Sequence, residues 1–157
     1  MDSETSKKRN DAPELSLFLP VLDEEDNLRP MHAKIAAALD VRIATGETVF
    51  GLHGLRELAT SRAADVVMPD LMRSGGITPM RSIVTYLEAE GLEVSPHLFP
   101  EISACVLAGM GIGSPLVEYL PSWWEGFFVE APVVEESHLV LTDAPGHGLA
   151  INPDLPR

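Results

Sequence analysis

Short apolar runs alternate along the chain with longer stretches in which apolar residues recur at helical spacing. Leu15–Val21 is an apolar run that predicts a buried strand, and Leu28–Leu39 then has the periodicity of a helix. Further candidate strands are VRIATGE, ADVVMPD, EVSPH and PLVEYL, with helical stretches between them. Because strands that alternate with helices are typical of parallel βαβ units, the pattern predicts an α/β fold.

The longest of these helices is predicted to begin after the Gly75–Gly76 turn, with Thr78 as its N-cap and Pro79 at its first helical position. Its apolar positions predict the buried face Met80, Ile83, Val84 and Leu87. Other helices are predicted around 52–64 and over 102–109. From residue 121 onward, turn residues dominate and only HLVLT alternates, so we expect a loop-rich closing segment that covers a barrel end.

The composition is that of a folded domain with a strongly acidic surface. The chain has 157 residues, 45% of them hydrophobic, and its 24 acidic against 11 basic residues give a net charge of −13. Such a surface repels phosphate and anionic lipid, so we expect neither nucleic acid nor a membrane as partner. Cys105, the single cysteine, rules out an internal disulfide. The first residues are polar, with no apolar signal, and we expect a cytoplasmic protein.

A polar residue closes each of the last four candidate strands. These residues, Glu47, Asp70, His97 and Glu118, are separated by 23, 27 and 21 residues, about one βα unit each time. In a parallel α/β barrel, the groups of the active site lie at the carboxyl ends of the strands. The spacing therefore predicts that all four side chains share one edge of the sheet.

Each of the four admits a chemical role and a purely structural one. Asp70 and His97 could form a hydrogen-bonded dyad that fixes the imidazole as an acid or base, or be an ordinary strand-end Asp and a satisfied His. Glu47 could be one oxygen ligand of Mg²⁺, which needs others, or a solvated carboxylate. Glu118, between apolar neighbours, could donate a hydrogen bond as a neutral acid or be a paired structural acid.

The remaining polar and aromatic features favour structural interpretations. Gly75–Gly76 could bring backbone N–H groups to an anion, but a tight turn is the simpler interpretation. Packing is expected for Cys105 and for the aromatic cluster Trp123, Trp124, Phe127 and Phe128. No ligand spacing relates the other histidines, which are His32, His53, His138 and His147.

Residues 41–157 resemble the carboxyl-terminal half of the mandelate racemase branch of the enolase superfamily. The resemblance rests on IATGE, MPDLMRSGGIT, SPHLFPEISA, LVEYL and TDAPGHGLAI, in that order. It implies a partial TIM-type (β/α) barrel and an enzyme that removes the proton next to a substrate carboxylate with Mg²⁺ as cofactor. The implied enzyme is a racemase (isomerase) or a dehydratase (lyase), and its substrate a small 2-hydroxy acid or acid sugar.

The resemblance also assigns roles. It implies that Asp70 and His97 are the catalytic dyad with His97 as base, that Glu118 hydrogen-bonds the substrate carboxylate, and that Glu47 is the last of three metal-binding carboxylates. Glu101, at a helix start, is not that acid. The other two carboxylates and an opposite-face lysine have no counterpart, since the only lysines, Lys7, Lys8 and Lys34, precede the resembling segment. We therefore expect a fragment that is inactive alone and self-associates through open sheet edges.

Residues 14–39, which include PVLDEEDNL, resemble the first strand and helix of family 2 glycosyltransferases of the dolichol-phosphate mannosyltransferase type. The chain is accordingly divided into a disordered tail at 1–13, this foreign strand–helix unit at 14–40 and the barrel segment at 41–157. Two alternatives to the enzyme interpretation follow. One is a glycosyltransferase fragment that binds a nucleotide sugar near Asp23, and the other is a fused or truncated product with neither activity.

Overall fold

The computed structural model describes residues 30, 33–35, 37–38, 42–112, 116–120, 126–130 and 132–155. Three short strands among them, β1 (Ala44–Thr45), β2 (Val66–Val67) and β3 (Glu93–Val94), form a parallel sheet in the order β1, β2, β3. Each strand lies within one of the predicted stretches. The prediction of an α/β fold with parallel strands is confirmed.

Four helices connect and follow the strands. Helix α1 (Gly51–Ser61) joins β1 to β2, α2 (Leu71–Ser74) and α3 (Ile77–Ala89) join β2 to β3, and α4 (Pro100–Gly109) follows β3. The predicted inner face of α3 is confirmed, since four of its side chains are fully buried: Met80, Ile83, Val84 and Leu87. They join one core cluster with residues of α1 and β2, and this packing fixes where the strands end.

The start of α3 differs from the prediction. Its N-cap is Gly76, not Thr78, which is the second residue of the helix. Gly75 and Gly76 both have positive φ angles, 97° and 98°, which favour glycine strongly. The amide of Gly76 donates to the carbonyl of Leu71 at 2.9 Å and closes α2. The glycine pair turns the chain so sharply that α3 begins at once, and this overrides the capping preference of threonine. The tight-turn interpretation of the pair is confirmed.

The segment PLVEYL was predicted to be the fourth strand, but its described residues, 116–120, do not form a strand. The segment is instead attached to the end of β3 through side chains. The Ser95 hydroxyl donates to the Leu116 carbonyl at 2.6 Å, and the Leu98 amide donates to the Glu118 carboxylate at 3.2 Å. A strand needs a ladder of backbone hydrogen bonds, and these two side-chain bonds take its place.

The carboxyl-terminal part contains an antiparallel hairpin of β4 (Val133–Glu135) and β5 (His138–Val140). Strand β5 lies in the alternating stretch HLVLT, within a segment that was predicted to be rich in loops. Within the predicted Leu28–Leu39 helix, the described residues 30, 33–35 and 37–38 are helical. Predictions for the tail, the first strand, His32, Trp123 and Trp124 lie outside the described residues. In the part of the chain that is described, no helix is long and apolar enough to cross a membrane.

Candidate active site

The ends of β1, β2 and β3 bring three of the four predicted site residues to one edge of the sheet, which we call the carboxyl edge. Glu47, Asp70 and His97 each follow one of these strands within three residues. The backbones of Asp70 and His97 form a parallel bridge, and the His97 amide donates to the Pro69 carbonyl at 3.2 Å. Neighbouring parallel strands therefore hold these two residues side by side, as their spacing predicts.

The side chains of Asp70 and His97 are hydrogen-bonded. Nδ1 of His97 lies 3.0 Å from Oδ2 of Asp70, and only 17% of the imidazole and 5% of the carboxyl side chain are exposed. Of the two interpretations that the sequence left open for this pair, the hydrogen-bonded one is observed. An ionised carboxylate can only accept, so Nδ1 carries the proton and the lone pair of a neutral ring is on Nε2. The arrangement leaves Nε2 as the atom able to take a proton.

The other oxygen of Asp70 fixes the carboxylate to the backbone. Oδ1 accepts the amides of Met72 at 2.8 Å and Arg73 at 2.9 Å, so Asp70 is the N-cap of α2. With both oxygens engaged, the carboxylate is held in one orientation toward His97. The sequence analysis missed this short helix, although an aspartate directly before LMRS is an ordinary N-cap signal.

Glu118 reaches the carboxyl edge although it is not in a strand. Its Oε2 lies 3.6 Å from Nε2 of His97, which is too long for a hydrogen bond, and it accepts the Leu98 amide at 3.2 Å. The imidazole of His97 thus has Asp70 on one nitrogen and Glu118 near the other. The structure brings Asp70, His97 and Glu118 into one cluster.

An unusual backbone holds the Leu98 amide in place. Leu98 and Phe99 have φ angles of 49° and 47°, in the left-handed region that residues with a Cβ rarely adopt. They link His97 to Pro100, the first residue of α4. Such conformations cost about 1–3 kcal/mol each and concentrate at functional sites. Leucine and phenylalanine give no sequence signal for this turn, so sequence reasoning could not find it.

Glu47 is at the same edge but is not part of the cluster. Its Oε2 accepts the amide of Gly46 at 3.1 Å, and its carbonyl accepts a hydrogen bond from the Arg73 guanidinium. Mg²⁺ needs near-octahedral oxygen coordination. Within the described ranges, no group of three His, Cys, Asp or Glu side chains could hold a metal ion. The donor set described does not fit a complete Mg²⁺ site, of which Glu47 could supply one ligand.

We therefore expect the 157-residue chain by itself to bind Mg²⁺ weakly or not at all. One carboxylate cannot replace enough of the water that Mg²⁺ holds tightly. Isothermal titration calorimetry with MgCl₂ measures the affinity, and Glu47→Gln and the exposed Glu88→Gln serve as the site variant and its control. A tight site that Glu47→Gln alone removes would contradict this expectation.

Two titratable groups lie on α4, outside the cluster. Burial raises the pKa of the Glu101 carboxyl above its usual 4.5, although its own backbone N–H opposes the shift, and the residue is 5% exposed. Burial also raises the pKa of the Cys105 thiol, so this cysteine stays protonated at neutral pH and is a poor nucleophile. Both groups are part of the packing of α4.

Glu101→Gln should stabilise the protein at neutral pH. A carboxyl whose folded pKa lies above the unfolded value of 4.5 destabilises the fold once it ionises, so stability falls as the pH rises through the folded pKa. We expect a gain in unfolding free energy at pH 7, which disappears below pH 4.5, where the acid is protonated in both states. Urea titrations at several pH values measure it, with the exposed Glu88→Gln as control. An equal gain at low pH would show that ionisation is not the cause.

The other described histidines have local partners. His53 lies 3.5 Å from Glu57 on the exposed face of α1, and Nδ1 of His138 lies 2.8 Å from the Glu136 carbonyl. Nδ1 of His147 accepts the Leu149 amide at 3.2 Å. None of these bonds involves the carboxyl edge, so the structural interpretation holds for these three.

Comparisons with known proteins identify relatives of this chain. L-talarate/galactarate dehydratase from Salmonella typhimurium is 30% identical over 126 residues, which are 80% of this chain and 31% of that protein. L-talarate dehydratase from Polaromonas sp. JS666, solved in complex with Mg and L-glucarate, is 35% identical with a TM-score of 0.68, over 78% of this chain and 34% of that one. An enolase from Bradyrhizobium, complexed with magnesium and mandelic acid, is 31% identical with a TM-score of 0.68. The match covers 81% of this chain and 34% of that one.

The chain therefore spans about a third of the length of these relatives. The comparisons give no support to the glycosyltransferase resemblance of residues 14–39, since the one family model that matches begins at residue 20, inside that segment. It is the model of the enolase C-terminal domain-like proteins, and it extends over residues 20–155. The parallel sheet, the order of the motifs and this match lead to one conclusion: the chain belongs to the enolase C-terminal domain-like family.

Proposed function

We propose that the chain is the carboxyl-terminal barrel segment of a mandelate racemase-like enzyme that removes the α-proton of an acid sugar, as a dehydratase or a racemase. The observation that carries the proposal is the cluster of Asp70, His97 and Glu118. A buried carboxylate is bonded to Nδ1 of the imidazole, and the carboxyl group of Glu118 lies beside Nε2. This is the arrangement of a general base that becomes a cation during the reaction.

His97 takes the proton in this mechanism. Asp70 fixes the ring with its lone pair on Nε2, and Nε2 accepts the α-proton of the substrate. The imidazolium that results is stabilised by the Asp70 carboxylate at 3.0 Å and faces Glu118 at 3.6 Å. Because Asp70 is almost fully buried, this stabilisation is little weakened by solvent.

Glu118 binds the substrate carboxylate. The Leu98 amide holds one of its oxygens, which leaves the other oxygen to face a ligand. In its neutral form, the carboxyl group can donate a hydrogen bond to an anion, which an ionised carboxylate cannot do. Glu118 would thus contact the charge that builds up on the substrate carboxylate as His97 withdraws the α-proton.

The described residues form only part of such a site. Glu47 would supply one ligand of a Mg²⁺ site, and no second base is present among the described residues of the carboxyl edge. In this proposal, residues 41–157 are one part of a (β/α) barrel, whose other part supplies the remaining carboxylates and the opposite-face base. The division into 1–13, 14–40 and 41–157, and the cytoplasmic location, stay predictions.

A chimera tests the proposal. Residues 42–155 replace the matching segment of L-talarate/galactarate dehydratase from Salmonella typhimurium, whose remaining two-thirds completes the barrel. We expect this chimera to exchange the α-proton of galactarate for deuterium or to dehydrate it, measured by NMR. A chimera that melts cooperatively but neither exchanges nor dehydrates galactarate, L-talarate or mandelate would overturn the proposal.

A further inference from the structure

Ser95 joins the end of β3 to the segment that carries Glu118, residues 116–120. Its hydroxyl donates to the Leu116 carbonyl at 2.6 Å, and the residue is buried, with 6% exposed. Its own amide donates to the Val67 carbonyl at 3.0 Å, so β2 fixes the backbone of Ser95. The hydroxyl therefore forms a bond from a rigid part of the sheet to a segment that is not in a strand.

The proline after Ser95 explains why a side chain makes this bond. The amides of Ser95 and His97 both donate toward β2, to the carbonyls of Val67 and Pro69. Because the backbone groups of successive residues in a strand point to opposite sides, Pro96 faces away from β2, the side on which a fourth strand would pair. Proline has no N–H to donate there. The Ser95 hydroxyl supplies the donor that a backbone ladder would take from residue 96.

The contacts of Ser95 and His97 also set the register of the segment. The two side chains project from the same face, since the residues are two positions apart in an extended backbone. Their partners, Leu116 and Glu118, are also two positions apart and follow in the same order. A slip of one residue would move the segment by about 3.3 Å and bring an uncharged neighbour of Glu118 beside the imidazole. The Ser95 bond selects the register that places Glu118 3.6 Å from Nε2 of His97.

The Leu98 amide does not make the Ser95 bond redundant. It holds the end of the Glu118 side chain, at Oε2, over 3.2 Å. A glutamate side chain rotates about several bonds, so a contact at its end leaves the backbone free to shift. Ser95 holds the backbone from which that side chain extends. The two bonds together fix Glu118 at both ends.

We infer that Ser95 is a positioning residue for the proposed reaction: its hydroxyl fixes the register of residues 116–120 and thereby holds the Glu118 carboxyl beside Nε2 of His97. The effect on the reaction rests on the proposed function, which has Glu118 bind the substrate carboxylate, whereas the effect on the register does not. Ser95 acts through Glu118 alone, so its hydroxyl matters to the reaction only while Glu118 is present.

The first test uses the 157-residue chain and needs no activity. The Leu98 amide is bonded to the Glu118 carboxyl, so its ¹H–¹⁵N NMR signal shifts when that group gains or loses a proton. The part of the shift that Glu118→Gln abolishes in a pH titration is due to Glu118, which separates it from shifts caused by His97 and Asp70. Ser95→Ala should reduce this part about fivefold, because the loss of one hydrogen bond lowers the population of the bonded register.

The second test uses the chimera, which contains both residues. Ser95→Ala should lower the exchange of the α-proton of galactarate by the same factor, about fivefold. In the Glu118→Gln chimera, whose slower exchange is followed over a longer incubation, Ser95→Ala should have no further effect. A serine that only supported the fold would lower the exchange equally with and without Glu118.

Two further substitutions and a control define the role of the hydroxyl. Ser95→Thr keeps the hydroxyl and should restore both readouts. Ser95→Cys, whose thiol is a weak donor, should give intermediate values and covers the case in which Ser95→Ala fails to fold. Ser74→Ala is the matched control, because Ser74 is also buried, with 4% exposed, and its hydroxyl contacts the sulfur of Met80 at 3.6 Å. It should leave both readouts unchanged.

An unchanged Leu98 shift in folded Ser95→Ala would overturn the inference. So would an equal loss of exchange with and without Glu118, or a wild-type Leu98 amide that shows no shift due to Glu118. An inactive chimera would refute the proposed function, and the Leu98 shift would still decide whether Ser95 positions Glu118. An active chimera whose exchange does not respond to Ser95→Ala would refute the role of Ser95 and leave the proposed function standing.

Discussion

His97→Asn should lower α-proton exchange by the chimera about 10²- to 10⁴-fold, the usual contribution of a positioned general base. Asparagine is close to histidine in size and can still donate a hydrogen bond to the Asp70 carboxylate, but its amide has no basic nitrogen. Asp70 would stay in place, because its Oδ1 continues to cap α2. The loss should therefore appear in the rate of exchange, with little change in the melting temperature.

The control is His53→Asn, which changes the same chemical group on the exposed face of α1. It should leave exchange unaffected. Rates are measured by loss of the α-proton signal of galactarate in D₂O. Exchange that continues at the wild-type rate in a folded His97→Asn chimera would show that another group removes the proton.

The 157-residue chain by itself should show no exchange above the buffer background. Racemisation needs bases on both faces of the α-carbon, and the charge that develops on the substrate needs a complete metal site. The described residues supply one base and no group of three potential metal ligands. A purified chain that exchanges the α-proton of galactarate in Mg²⁺ would contradict the incomplete-site interpretation.

We expect the inactive chain to self-associate through the edge of β1, with which no described strand pairs on the side away from β2. In the pairing with β2, Ile43 and Thr45 direct their carbonyls to the neighbouring strand, so Ala44 between them points its backbone N–H and C=O outward. Unpaired strand edges bind other edges. We expect oligomers whose size grows with concentration, measured by light scattering after size exclusion.

Ala44→Pro tests whether that edge is responsible. Proline removes the outward N–H without touching the bonds between β1 and β2, and proline is tolerated on edge strands. This variant should contain a larger fraction of monomer than the wild-type chain at the same concentration. An unchanged distribution would exclude the β1 edge as the contact, and a monomeric wild-type chain would exclude self-association itself.

The sequence predicted the site best where the position of a residue depends only on the arrangement of the parallel strands. The carboxyl ends of adjacent parallel strands meet at one edge, so the positions of Asp70 and His97 after β2 and β3 predicted that the two residues lie side by side, while their hydrogen bond was one of two interpretations left open. Similarly, the spacing of apolar residues in α3 predicted its buried face, because burial follows the helical period.

Other parts of the site depend on contacts that have no local signal. Glu118 is at the edge because of the Ser95 hydroxyl and the Leu98 amide, and not because of the strand that its apolar neighbours predicted. The intrinsic capping preference of Thr78 predicts a helix start after it, but the positive φ angles of Gly75 and Gly76, which the sequence does not show, let Gly76 cap the helix two residues earlier.

Asp70 caps α2 with one oxygen and binds His97 with the other. These two roles determine the effect of replacing it with asparagine. In Asp70→Asn, the amides of Met72 and Arg73 demand an acceptor, so the carbonyl oxygen must face α2 and the NH₂ group must face His97. Nδ1 of the imidazole would then have to accept, which moves the ring proton to Nε2. The bonds that cap α2 would thereby change Nε2 of His97 from a hydrogen-bond acceptor into a donor, in a substitution that leaves the fold intact.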